Sequence, residues 1–237
     1  MKTIKHTSDS RGFANHGWLK SYHSFSFSSY YNPERMNFGA LRVFNDDLVQ
    51  PAMGFGTHPH QNMEIISIPL KGALSHKDSM NNKRSIEVGE VQVMSAGTGL
   101  THSEFNDSTT DEVNFLQLWI LPEKQNVVPN YEQKQFDLTE RKNNFQTVVS
   151  PQDKLTEGSL GIHQQAYIHL GNFEEGKSIS HKITNEKGVY IFIIEGEVEV
   201  IGEKLHKRDA LGVWDTNQIE IKSIKNSEIL LVEVSMN

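Results

Sequence analysis

The chain reads as all-β, arranged as two successive domains. Three observations predict this: short apolar segments recur along most of its length, Gly, Asn, Asp and Ser punctuate them, and no stretch sustains a 3.6-residue apolar period. The 237 residues suit one large β domain or two of about 100–120 residues. A polar, proline-marked stretch near the middle favours two.

Residues 1–20 carry no dense apolar pattern before Trp18 and Leu19. In His23-Ser24-Phe25-Ser26-Phe27-Ser28-Ser29-Tyr30-Tyr31-Asn32-Pro33 the phenylalanines alternate with serines, which predicts an edge strand closed by Asn-Pro. Leu41-Arg42-Val43-Phe44 predicts another short strand, with Asn45-Asp46-Asp47 as its turn. From 54 to 121 strands are dense, notably Glu64 to Gly72, Leu74 to Asp78, Ser85 to Val88, Glu90 to Ser95 and Phe115 to Leu121. Residues 122–157 are polar and bracketed by Pro122, Pro129 and Pro151. They are expected to connect an N-terminal domain, 1–132, to a C-terminal one, 133–237.

Strands resume at Ala166 to Leu170, Gly188 to Glu195, Val198 to Ile201, Ala210 to Val213, Ile219 to Ile221 and Glu228 to Val234. The run from Val189 to Gly196 matches Ile65 to Gly72 in layout, an apolar strand ending in a charged residue and Gly, which suggests an internal repeat.

The formal charge of −7 argues against a nucleic-acid surface, which needs clustered Lys and Arg. Lys204-Leu205-His206-Lys207-Arg208 reads as a solvated turn. The absence of cysteine excludes disulfides, thiolate ligands and a Cys nucleophile. The polar N-terminus does not resemble a secretory leader, and no run approaches the ~18 apolar residues of a spanning helix, so a cytoplasmic, membrane-free protein is expected.

Metal-capable residues recur two apart in Thr57-His58-Pro59-His60-Gln61-Asn62-Met63-Glu64 and again in Thr101-His102-Ser103-Glu104. On a strand, residues i and i+2 share a face, so His58 and His60 can reach one ion, and His102 with Glu104 can approach it from a second strand. Glu64 has the same parity as the first pair. Three imidazoles and one carboxylate suit a divalent transition ion, with iron(II) favoured and nickel, copper, manganese or zinc as alternatives. Where the first half has its histidine pair, the repeat places Lys182-Ile183-Thr184-Asn185; where it has His102 and Glu104, the repeat places Trp214-Asp215-Thr216-Asn217. Neither is a metal set. Gln117 shares its parity with Phe115 and Trp119 and could face the ligands. His76, after Leu74-Ser75, is a candidate pocket residue, with an exposed turn histidine as the preferred reading. His16, His163, His169, His181 and His206 have no partner at ligand spacing and read as non-functional. No nucleophilic triad, P-loop or dinucleotide fingerprint appears, and Gly97-Thr98-Gly99 reads as a tight turn.

The order H-x-H-x3-E-x7-G, then G-x5-S-x-G-x4-H-x-E-x-N, resembles the two motifs of the cupin superfamily. His23 to Pro33, Phe55 to Ile65, Met94 to Phe105 and Gln117 to Pro122 resemble the bacterial pirin-like proteins more closely. The resemblance implies a bicupin of two tandem jelly-roll barrels, with a metal in the N-terminal barrel only. It also implies His58, His60, His102 and Glu104 as ligands, with Glu64 displaced by the second-motif glutamate. Gln61 departs from the arginine common in the family after the second histidine, so no cation beside the metal is expected.

The implied activity is that of a quercetin 2,3-dioxygenase: a flavonol-like aromatic and O2 as substrates, with dioxygen adding across C2 and C4 and carbon monoxide leaving. Glu104 is the expected general base, and Glu64 and Gln117 are assigned to the substrate pocket. The competing reading is a metal- or redox-sensing pirin that modulates a regulatory protein partner without catalysis. A monomer is expected in either case.

Overall fold

The two apolar runs that resemble each other are inner strands of two matching sheets. The computed structural model describes residues 1–184 and 186–236; Asn185, part of the stretch set against the histidine pair, lies outside the described residues. The strands are β1 (Lys2–His6), β2 (Gly12–Asn15), β3 (Leu19–His23), β4 (Leu41–Val49), β5 (Gly54–His60), β6 (Glu64–Lys71), β7 (Ala73–Asp78), β8 (Lys83–Glu87), β9 (Glu90–Ser95), β10 (Leu100–Asn106), β11 (Val113–Ile120) and β12 (Asn130–Gln135). The second half adds β13 (Phe145–Pro151), β14 (Leu160–Ile162), β15 (Tyr167–Phe173), β16 (Ser178–Lys182), β17 (Lys187–Glu195), β18 (Glu197–Val200), β19 (Glu203–His206), β20 (Ala210–Trp214), β21 (Gln218–Ser223) and β22 (Ser227–Ser235).

Seven strands in the order β12-β9-β6-β11-β4-β3-β2 face a four-stranded sheet, β5-β10-β7-β8, and the second half repeats the plan as β1-β20-β17-β22-β15-β13-β14 with β16-β21-β18-β19. The fold is therefore all-β and a bicupin. Each unit is a two-sheet jelly roll rather than a barrel closed by hydrogen bonds. One edge strand is exchanged: β1 pairs with β20 from Lys2↔Trp214 to His6↔Ala210, so the chain's first residues complete the second unit's sheet.

Both large sheets are buried on two faces, which is why their strands read as continuous apolar runs. Ile66, Ile68, Phe44 and Leu118 from one meet Tyr190, Phe192, Leu230 and Val232 from the other in the largest core, between the halves. Alternate residues turn inward. In the second unit Ile191, Ile193, Ile219, Ile221 and Leu231 fill the interior. In the first, two smaller clusters, around Leu74 and Phe115 and around Ile65 and Met94, leave room for polar side chains between them.

Three expectations need correction. Phe25 and Phe27 lie in a turn with a lone Phe27–Tyr30 bridge, not on a strand; Ser28 has φ 53 there. The rings go separate ways, Phe25 to Tyr190 between the halves and Phe27 to Trp119. Asn45-Asp46-Asp47 is not a turn, because β4 runs through it to Val49 and buries all three side chains. The repeat is real but offset: β16 and β21 occupy the places of β5 and β10, so Ile179, Ile219 and Ile221 sit where the ligand-bearing strands run in the first half. The polar stretch 122–157 contains β12 and β13, one joined to each large sheet.

Candidate metal centre

β10 lies between β5 and β7, which brings the two motifs together. His102 pairs with His58 on one side, and Glu104 pairs with His76 on the other. A bulge between His102 and Glu104 on the β5 side shifts the register, a device that re-aims side chains beside a site. Ahead of β10, Gly97 has φ +45, and a Cβ there would collide with the Val127 carbonyl, so this turn requires glycine.

The rings of His58, His60 and His102 have centroids 4.4–4.9 Å apart, and one nitrogen from each falls within 4.8 Å of the others. His58 Nδ1 lies 2.8 Å from the Gly56 carbonyl. A carbonyl only accepts, so Nδ1 carries the proton and Nε2 is left as a lone-pair donor. His102 is 1 % exposed and neither ring nitrogen has a protein partner. Burial and the neighbouring His58 hold His60 near 4, and burial with His58, His60 and His76 pushes His102 far below the usual imidazole range. Both rings stay neutral at physiological pH, the form that binds metal. Buried unpartnered nitrogens are costly unless something binds them, so this donor set fits a divalent ion.

Glu104 groups with His76 and His102 within the same 4.8 Å limit, so His102 is the shared corner of two clusters. Its carboxylate accepts from Ser67 Oγ at 3.2 Å and from Gln117 Nε2 at 2.8 Å, and burial raises it above the ordinary carboxylate range. Trp119 Nε1 donates to Gln117 Oε1 at 3.2 Å. An indole can only donate, so the amide is oriented with its NH2 toward Glu104.

A cavity of about 370 Å³ opens above His58 and Glu104, walled by Trp18, Phe27, Phe55 and Trp119, and Gln117 lines it. Glu64 does not line it. Its Oε2 accepts from Ser95 Oγ at 2.6 Å and it also meets the backbone of His163, which places it on the face toward the second half. Strand parity does not carry from His60 to Glu64, because Asn62, with φ 48, breaks the strand between them. His76 is not an exposed turn residue: it is fully buried on β7, 3.1 Å from Asp78. Gln61 is exposed and outside the cavity. Sequence reasoning also missed Ser21, His23, Asn45 and Asp47, which line the cavity from β3 and β4, and His16, which does so from the turn after β2; the available signal was the two-residue spacing of Ser21 with His23 and of Asn45 with Asp47. Among the described residues both candidate metal clusters lie in the first half.

Comparison with known proteins fits this arrangement. The family model described as Pirin matches residues 5–120, and a quercetin 2,3-dioxygenase of Escherichia coli K12 is 44% identical over 224 residues, 94% of this chain and 95% of that protein. The chain belongs to the pirin family. The model for a quercetinase C-terminal cupin domain matches residues 147–234, so both halves of the bicupin are accounted for. A Caulobacter vibrioides relative called a pirin-like protein is 37% identical over 96% of this chain and 97% of its own. The crystal structure of the Escherichia coli pirin YhhW in complex with nickel(II) superposes with a TM-score of 0.93 at 40% identity, covering 99% of each chain. These relatives are thus named as a quercetin 2,3-dioxygenase and as pirins, and one of them is seen with nickel(II). No helix among the described residues is long and apolar enough to cross a membrane.

Proposed function

We propose that this pirin is a divalent-metal-dependent dioxygenase that opens a flavonol, of the quercetin 2,3-dioxygenase type, at the first jelly roll. The observation that carries this reading is His102, a buried imidazole with two unpartnered nitrogens, beside a 370 Å³ aromatic-walled cavity into which Glu104 projects. His58, His60, His102 and Glu104 would hold the ion. Bound there, it supplies a Lewis acid with open positions for substrate and O2. Iron(II) suits the donor set, and nickel(II), present with the Escherichia coli relative, is its competitor.

The protein's own groups do the rest. Glu104, raised by burial, takes the proton of the flavonol 3-hydroxyl as general base. Gln117 and Ser67 hold its two oxygens and so aim it. Trp18, Phe55, Phe27 and Trp119 stack on flat rings and exclude water. Oxygen uptake with quercetin, measured after reconstitution with Fe(II), Ni(II), Mn(II) or Cu(II), tests the reading. Turnover with at least one ion supports it; none with any ion transfers the case to a metal-sensing pirin that binds a regulatory protein.

A further inference from the structure

A row of polar side chains crosses four neighbouring strands on the inner face of the first unit. His23 on β3 pairs with Asn45 on β4, Asn45 with Gln117 on β11, and Gln117 with Ser67 on β6. Directly paired residues present their side chains on one face. The row starts at Glu104, which Ser67 and Gln117 both bond, and runs away from it. Strands lie about 4.8 Å apart, so His23 is roughly 10 Å from Gln117. At this far end His23 Nδ1 is 2.9 Å from Asn45 Oδ1 and 3.3 Å from Ser21 Oγ, and Ser21, in the next row, donates to Asp47.

In the second unit the matching row runs from Ile191 and Leu231, both in its apolar core, to His169 and Thr147, which lie 3.0 Å apart in a hydrogen bond; in the first unit the far-end groups line a cavity beside a candidate metal cluster. Buried polar groups are costly unless used, and Ser21, His23, Asn45 and Asp47 all line the cavity. Asp47 commits one oxygen to Ser21, which leaves it capacity for a ligand. Burial raises its carboxyl to about 7, so at neutral pH it can donate as well as accept.

We infer that Ser21, His23, Asn45 and Asp47 form a second recognition pole, which binds hydroxyl groups on the far ring of a flat aromatic whose other end is held at the metal centre. The inference rests on the flavonol reading of the same cavity. The residues are specificity determinants: they select a polyhydroxylated aromatic over one whose far ring is bare. A site built to hydrogen-bond a hydroxyl discriminates strongly against the analogue lacking it.

The test is anaerobic titration of metal-loaded protein with quercetin and with a flavonol lacking far-ring hydroxyls, read by quenching of Trp18 and Trp119, which line the cavity. Wild type is expected to bind quercetin about tenfold more tightly than the bare flavonol. Ser21→Ala and Asp47→Asn should each bring that ratio within about threefold of one. Equal affinities in wild type, an unchanged ratio in both variants, or a parallel loss for both ligands would overturn the inference while leaving turnover intact. Failure to bind either flavonol, with no oxygen uptake, would instead sink the flavonol reading itself, and the inference with it.

Discussion

His102 and His58 face each other across β10 and β5, yet they are held in opposite ways. His58 has Nδ1 fixed by the Gly56 carbonyl at 2.8 Å, whereas His102, the more buried, has no protein partner on either nitrogen. One ring is pre-oriented by the backbone and the other is free to satisfy itself only on an ion.

Replacing His102 by Ala should therefore empty the centre while sparing the fold, since the protein gives the ring no hydrogen bond to lose. Bound divalent metal, measured by mass spectrometry on anaerobically purified protein, is expected to fall at least about tenfold. Unchanged metal content would show that the ion binds elsewhere.

Gln117→Leu tests the support of Glu104. The change leaves Glu104 Oε2 and Trp119 Nε1 without their partners, a cost of about 1–3 kcal/mol in a buried site. Metal affinity, measured by chelator competition, should drop roughly 10- to 100-fold. Gln117→Glu should not rescue it, because a second carboxylate would face the first.

Glu64 makes a pH-dependent contribution of known sign. Burial raises its carboxyl from 4.5 to about 7, against the opposing bonds from Ser95 and the His163 backbone. The folded state thus binds the proton more tightly than the unfolded state, so this contribution is full below about 4.5 and is lost as pH rises through 7. Glu64→Gln should remove that loss. Denaturant melts of the variant and wild type should diverge between pH 5 and 8 by on the order of 3 kcal/mol, in favour of the variant at high pH. Parallel curves would mean that Glu64 titrates normally.

Phe192→Ala probes the core between the halves. The Phe44 and Phe192 rings lie 4.6 Å apart in that core, both fully buried. The substitution should cost about 3–5 kcal/mol. Because the core belongs to both sheets, urea transitions followed by Trp119 and Trp214, one in each half, should move together. A shift in only one probe would show that the halves unfold independently.

Local chemistry made much of this molecule legible. Strands such as β6, β9, β17 and β22 announce themselves by length and apolar content, and H-x-H and H-x-E put two ligands on one face because the side-chain period of a strand is two. What failed was whatever depended on a partner strand. Asn45-Asp46-Asp47 looks like a turn because three polar residues in a row match turn chemistry. It is a strand because Arg11 meets Asp46 while Asn45 and Asp47 face the cavity.

By itself, then, the sequence determined the all-β class, the repeat and the pairs of histidine and carboxylate, since these are properties of neighbouring residues. Only tertiary structure decided that β1 completes the other unit's sheet, that Glu64 points away from the cavity, that His76 is buried beside Glu104, and that His23, Asn45, Gln117 and Ser67 form one row. These depend on register between strands distant in the chain, where a slip of one residue would turn every side chain to the opposite face.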